Sequence, residues 1–545
     1  MDLEGYRYVW LVVIGIAIFF SIRIAVGIWA SRRVKNAADY IVAGRRLPIY
    51  MAGASIMATW FAAETMMGAS ATAYQYGFQG VLFDPFGATV CLFVTGFFFT
   101  RLMRRARYLT LVDFFERRFG KAMTILSSVI QLITYFVWTG AQLVAAGTIV
   151  HALFPNIPLE VGMIVVAIVV TCYTMLGGML ADTLLDFMQM FFTAGGVTLI
   201  FLFVLKAVGG WSGLTSIQET LYNPQPFTIT PDAGGTGYLG YLGGMGWMYW
   251  MAAWMAIGLG SVPTQDLFQR SMAARNEATA VWGSYMAGAL YGFFGIMSPL
   301  IGIMMFKLNP GLVDAQMEGV LVNAALNYLP PVLTAIFLAA LSSALMSTSD
   351  SALLAGAAVV TENLLPMLGY KMNEKQKVRS TRIWVGIIGF LAILIAMTAA
   401  TIYELGVLAW SLLLVGLFAP FALGMYWKKS NQYGAVAAYL GGFLVWAIGI
   451  YVAYQFGMLG DPTIVVCEGD ANCAFWDAVY VSSFPAFVCS MLLMVFVSLA
   501  TQKKDPPKPI TNIDGEEFDT NPFHNIGWMP LRDAIRKLRP EEFDD

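Results

Sequence analysis

Charge is scarce in this chain. Asp, Glu, Lys and Arg make up 12% of its residues, about half the ~25% of a soluble globular domain. That excludes a string of soluble domains, although 545 residues would allow three or four. Histidine is nearly missing: there are two, His151 and His524. No metal-ligand cluster, nucleotide loop or nucleophile–base motif accompanies them, which argues against an enzyme. No basic block occurs and the net charge is −2, so no nucleic-acid partner is indicated. Cysteine is also sparse. Cys91, Cys172 and Cys489 lie in apolar runs and read as small hydrophobes, whereas Cys467 and Cys473 share the polar loop CEGDANC. An oxidising compartment would permit a disulfide there, but spacing alone leaves the pairing open. The opening MDLEGYRYVW has neither a basic n-region nor a small-residue cleavage site. It is expected to lead into a retained helix rather than a signal peptide.

Apolar sequence fills the space that charge leaves. Hydrophobic residues reach 58% and mean hydropathy is +0.67. The expectation is an all-α polytopic membrane protein. Thirteen segments stand out, roughly 8–30, 50–75, 78–100, 122–153, 158–178, 183–208, 240–260, 278–306, 331–360, 381–401, 404–427, 433–457 and 476–500. Residues 1–500 form the membrane domain and 501–545 a polar tail. Basic residues cluster on alternate loops: Arg32 to Arg46, Arg101 to Lys121, Arg270 and Arg275, Lys371 to Arg382, and Lys428 with Lys429. Arg7, Lys206 and Lys307 are what the other side offers. The positive-inside rule then sets the N-terminus outside and the C-terminus inside. The expected location is the bacterial inner (plasma) membrane. The tail, with KKDPPKPITN and a short helix in GWMPLRDAIRKLRPEEF, reads as solvated or lying at the interface.

Two segments look broken. The second carries Gly53, Ala54, Ser55, Ala58, Thr59, Ala62, Ala63 and Gly68 around Glu64, and the seventh ends in GLGSVPTQD. Unwound backbone at membrane depth is tolerated where it is buried or lines a cavity. Five helices counted from each break give an inverted repeat over about residues 50–427.

The stretch ALMSTSDSALL, residues 344–354, sets oxygen into an apolar helix. Ala344, Ser347, Thr348 and Ser351 share one face, and Asp350 lies three residues from Ser347. Hydroxyls and carbonyls are hard donors that suit a hard cation, and a carboxylate at membrane depth is costly and usually functional. Asp186, a turn into the sixth segment, is a second acid, placed for cation binding or along a cation exit path. Asp182 reads as a cap or a solvated helix end, and the Gly177–Gly178 pair as the end of the preceding helix. Glu64 is the third acid at membrane depth and can pair with a hydroxyl, hold the unwound stretch or contact solute.

In order, YIVAGRRLP, GASIMATWFAAETMMG, YTMLGGMLADTLLDFMQ, DLFQR and MSTSDSALL resemble the solute:sodium symporter family over about residues 8–500. The resemblance implies thirteen helices, a five-plus-five inverted-repeat (LeuT-type) core, alternating access and Na+ as the coupling ion. It implies a sodium site from the carbonyls of Ala58, Phe61 and Ala344 with the hydroxyls of Ser347 and Thr348. Asp186, Ser347, Asp350 and Ser351 fall at the positions of the second sodium site that some members carry. Asp350 stands where some two-sodium members have a hydroxyl, which sets this chain apart from them. One charge crossing 100 mV releases about 2.3 kcal/mol. A tenfold gradient adds about 1.4 kcal/mol. Together they permit roughly 500-fold accumulation of a neutral solute.

The solute is expected between the broken segments, near Trp60, Glu64, Thr65, Trp138, Gln142, Thr264 and Gln265. Aromatic faces attract quaternary ammonium groups. ATW at 58–60 and Trp138 are similar to the choline-transporter branch, but Thr264 stands where that branch has an aromatic, leaving a cage short of a wall. An amino acid such as proline or a quaternary ammonium compound is the expected solute, with a small carboxylate or a sugar as alternatives. A channel fits scattered acids and broken helices less well. Sodium ion, a small-molecule solute and the lipid bilayer are the expected partners; the sequence sets no oligomeric state.

Overall fold

The computed structural model describes residues 9–34, 37–231, 239, 244–312, 315–397, 401–455, 471–528 and 531–533. Cys467, and with it the Cys467–Cys473 pairing, and most of the expected tail helix fall outside them. A bilayer offers no water to unpaired backbone groups, so apolar runs close their own hydrogen bonds as helix. Among the described residues the chain is helical, with extended pairing limited to the bridges Leu47–Ala274 and Thr511–Glu517. In chain order the principal helices are α1 (Val9–Ser31), α2 (Ile49–Trp60), α3 (Ala69–Gly80), α4 (Leu82–Ala106), α5 (Val112–Phe119), α6 (Lys121–Leu153) and α7 (Leu159–Val208). They continue as α8 (Gly244–Gly258), α9 (Gln265–Ala273), α10 (Glu277–Leu308), α11 (Pro331–Met367), α12 (Glu374–Ala396), α13 (Ile402–Tyr426), α14 (Gln432–Ala453) and α15 (Phe475–Thr501). Among the described residues ten helices are long and apolar enough to cross a bilayer.

Both expected interruptions are present. α2 stops at Trp60, where Phe61 (φ −79°, ψ 67°) and Ala62 (φ −134°, ψ −130°) leave helical geometry. A wide turn over Ala63–Gly68 then leads into α3. α8 and α9 are separated in the same way, with Thr264 in extended backbone (φ −101°, ψ 143°). Close approach accounts for two of the glycines. A Cβ on Gly53 would stand 2.9 Å from the Gly283 carbonyl of α10, and one on Gly260 would stand 2.5 Å from the Trp410 carbonyl of α13. The small residues thus serve tight packing around the breaks.

Gly177 and Gly178 do not end a helix. Helical backbone runs through them from Leu159 to Val208. Fifty residues make a path of about 75 Å at 1.5 Å per residue, well over the ~30 Å of a hydrocarbon core. α7 accordingly carries two apolar stretches, Leu159–Met175 and Met179–Val208. Glycine costs about 1 kcal/mol of helix propensity in water, but at membrane depth leaving the helix costs more.

The tail is not simply solvated. Asp505 caps α14 by accepting from the Gln432 N–H at 2.7 Å. Arg117 donates to the carbonyls of Asn512 and Ile513, both at 2.9 Å. The Tyr108 hydroxyl bonds the Thr511 carbonyl, and the Gly527 N–H reaches the Phe97 carbonyl at 2.7 Å. Donors on α5 and on the turn that precedes it hold the tail against the helix ends.

Candidate functional site

Two buried groups of side chains meet at the end of α2. The first is polar. On α7, Asp182 and Asp186 are four residues apart, and on α11 so are Ser347 and Ser351; each pair shares a helix face. The faces meet. Ser347 donates to Asp186 Oδ1 at 2.7 Å and Ser351 to Asp182 Oδ2 at 2.8 Å. Ser55 of α2 donates to Asp186 Oδ2 at 2.7 Å. Arg270 of α9 inserts Nη2 between them, 3.0 Å from Asp182, 3.6 Å from Asp186 and 2.6 Å from Ser351. Its Nε donates to the Ser55 carbonyl at 3.2 Å.

Asp182 is therefore neither a cap nor a solvated end: it is buried and ion-paired. Arg270, read from the sequence as an inside-loop charge, is 1% exposed. Thr348 crosses from α11 to the broken end of α2 and donates to the Thr59 carbonyl at 2.8 Å. The Ala62 N–H turns to the Trp60 carbonyl (2.9 Å) instead of to Ala58. That frees the Ala58 carbonyl from the helical ladder beside Phe61, a consequence of ending the helix there. Ala58, Phe61 and Ala344 are buried at this junction with Ser347 and Thr348.

Asp350 is not in this group. It faces away, toward α1, where Arg23 meets its Oδ2 at 2.6 Å and the Thr174 hydroxyl meets its other oxygen. Arg23 carries no local sequence signal of this pairing, 327 positions away in the chain.

The second group is aromatic. Tyr135, Trp138 and Gln142 follow one another on a face of α6 at i, i+3 and i+7. Trp138 lies 5.0 Å from Trp410 of α13, ring centre to ring centre, and Trp410 lies 6.1 Å from Trp60. Trp410 thus packs between Trp138 and Trp60. Trp60 Nε1 donates to Asp266 Oδ2 and the Tyr135 hydroxyl to Asp266 Oδ1, both at 2.8 Å. Gln142 Nε2 donates to both oxygens of Glu64, at 3.1 and 2.9 Å, and its Oε1 accepts from the Ala63 N–H at 3.2 Å. Glu64 and Gln142 together brace the unwound strand. Thr65 Oγ1 sits 2.9 Å from Asp84 Oδ2, beside Tyr291, which donates to Asp84 Oδ1 at 2.8 Å.

Thr264 and Gln265 are not brought to the aromatic rings. Thr264 bonds back to the Ser261 carbonyl (2.8 Å). Gln265 Oε1 accepts from the Leu111 N–H at 2.6 Å, which makes it a strut to the turn between α4 and α5. Asp266, Tyr135 and Trp410 belong to the group and were missed. Asp266 sits in the DLFQR motif, so a signal existed, but Trp410 is one of 15 tryptophans in an apolar chain.

Farther along α13, a cavity of about 110 Å³ is lined by Tyr76, Tyr249, Glu318, Tyr403, Glu404 and Asp477. Burial, reinforced by the neighbouring Glu404, pushes the Glu318 carboxyl up to about 8. Tyr403 connects this cavity to the inner group, since its hydroxyl accepts from the Asp84 N–H at 3.0 Å.

The comparisons agree with this architecture. The chain is 27% identical over 454 residues to the human high affinity choline transporter 1, covering 79% of this chain and 75% of that one. It is 25% identical over 512 residues to the osmoregulated proline transporter OpuE of Bacillus subtilis (strain 168), covering 90% and 95%. A solved structure of a Na+-coupled sialic acid symporter in a substrate-bound outward-open state superposes with a TM-score of 0.68. It covers 92% of this chain and 99% of that one at 18% identity, and so shares its fold. The model of the sodium:solute symporter family matches residues 40–442. With broken helices, a hydroxyl- and carboxylate-lined junction and a match over most of its length, the chain belongs to the sodium:solute symporter family.

Proposed function

We propose that the protein imports a small organic cation with a substituted ammonium group, driven by sodium entry through alternating access. One observation carries the choice of solute: Trp60, Trp138 and Trp410 converge, and Trp60 presents the Asp266 carboxylate at 2.8 Å. Aromatic faces attract a cation by up to about 2 kcal/mol or more when it is desolvated, and a nearby carboxylate supplies the opposite charge. The choline transporter relative points the same way. Proline is the second reading, favoured by the relative of which 95% is covered. Its carboxylate needs a donor, however, and the nearby ones are engaged: Gln142 by Glu64 and Arg270 by Asp182. Small carboxylates and sugars are less well served for the same reason.

The sodium ion is assigned to the junction of α2 and α11, held by the carbonyls of Ala58, Phe61 and Ala344 and the hydroxyls of Ser347 and Thr348, with Asp186 behind Ser347. Thirteen spans with the N-terminus outside, in the plasma membrane of a bacterial cell, complete the reading.

Two measurements test it. In proteoliposomes with an inward sodium gradient, labelled choline is expected to accumulate more than proline, acetate or glucose, and to stop doing so when potassium replaces sodium. Uptake indifferent to that replacement would reject sodium coupling, and preference for proline would select the second reading. Ser347→Ala and Thr348→Ala are each expected to raise the sodium concentration for half-maximal uptake by tenfold or more, about 1.4 kcal/mol. If neither moves it, the ion sits elsewhere.

A further inference from the structure

We propose that Arg23 is a built-in counter-cation: its guanidinium fills the place beside Asp350 that a second sodium ion could take, so the protein binds one sodium ion per transport cycle. The inference rests on the sodium-symport reading above. Arg23 is the one charged residue in Val9–Ser31, and it is 1% exposed. A charge at that depth on an otherwise apolar helix is costly unless it is paired. Both terminal nitrogens are engaged, while Nε has no hydrogen-bond partner among the described residues. Nη2 lies 2.6 Å from Asp350 Oδ2, and Nη1 donates to the Ser343 carbonyl at 2.7 Å and to its hydroxyl at 3.3 Å. The guanidinium carbon lies 4.9 Å from the centre of the Tyr173 ring. Thr174 occupies the other Asp350 oxygen.

The groups around the guanidinium are those that would hold a hard cation. Asp350, Asp182 and Thr174 line a cavity of about 20 Å³ together with Arg23 itself. That is about one water-sized sphere. Ser343 and Ser351 add hydroxyls on the same helix. With the guanidinium in place, a sodium ion there would meet a fixed positive charge and an acid already neutralised. Asp182 is similarly neutralised by Arg270 at 3.0 Å. Asp186 is left with two hydroxyl donors and a longer 3.6 Å approach from Arg270. Among these three aspartates, Asp186 has the least complete charge compensation, and it stands beside Ser347.

A purely structural role, pinning α1 to α11, would leave ion counts untouched, so counting ions decides. Saturable 22Na+ binding to the purified full-length protein, per mole of protein, is expected to be one for the native chain and two for Arg23→Met. It is expected to return to one for the charge-free pair Arg23→Met with Asp350→Asn. Replacing both members of a buried pair is commonly tolerated, so the double variant keeps a folded control in hand. Two ions bound to the native chain, or one ion bound to folded Arg23→Met, would overturn the proposal. If Arg23→Met does not fold, Arg23→Gln, which removes the charge and keeps an amide donor, takes its place, and one ion bound to folded Arg23→Gln, or two on the native chain or the double variant, is fatal. No saturable binding to any form would instead sink the sodium reading on which the proposal stands.

Discussion

Arg270→Met is expected to be the most destabilising single change at the centre of the bundle, costing about 3–5 kcal/mol, the range for removing one partner of a buried ion pair. The guanidinium joins four chain segments: Asp182 of α7, Ser351 of α11, the Ser55 carbonyl of α2 and the Asp266 carbonyl of its own helix. Its loss strands Asp182 and brings that charge to bear on Asp186 one turn away. Thermal unfolding in detergent reports the effect, and a second substitution separates its causes. If stranded charge is the main cost, Arg270→Met with Asp182→Asn should recover a large part of the loss, an interaction term measurable in a double-mutant cycle. If the single variant melts with the native protein, the ion pair does not hold the core.

Trp410→Met is expected to weaken capture of a quaternary ammonium solute by about 30-fold, the equivalent of the ~2 kcal/mol assigned to a desolvated cation–π contact. Methionine is the better probe than alanine, because truncating a buried tryptophan to alanine costs about 3–5 kcal/mol of stability from the cavity alone. Trp410→Phe keeps an aromatic face and should retain most of the affinity. The pattern to look for is the half-saturating concentration in sodium-driven uptake: little changed for Phe, strongly raised for Met. Equal effects of the two would mean that ring volume, not the aromatic face, is what α13 contributes.

These residues show what could be read in advance and why. The oxygen-rich face at Ser347, Thr348 and Ser351 was legible because helical spacing is written directly in the sequence, and Asp186 because an acid in an apolar run stands out. Asp182 was misjudged because the glycine pair at 177–178 suggested a helix end, a rule drawn from water that the bilayer overrides. The charge of Arg270, taken alone, suggests a loop. It lies in a short helix after a break, where an arginine can turn inward to meet acids far away in the chain. The same charge-based reading puts Arg101 and Arg118 on the inside surface, but they are buried too, at 5% and 3% exposed. Trp410 gave no local signal; what places it is contact with Trp60 and Trp138, which are some 350 and 270 positions distant. Long-range pairing of this kind, Arg23 with Asp350 included, leaves no periodicity to read.

The docked tail has a practical consequence for anyone handling the protein. Its proline- and lysine-bearing stretch has the composition usually trimmed to improve expression or crystal order. Deleting it before Asp505 would uncap α14, strip Arg117 and Tyr108 of their acceptors, and uncover Phe97 where Gly527 now lies. A shortened form would not be the same protein with less slack, and purification handles are better placed past residue 528 than in place of what precedes it.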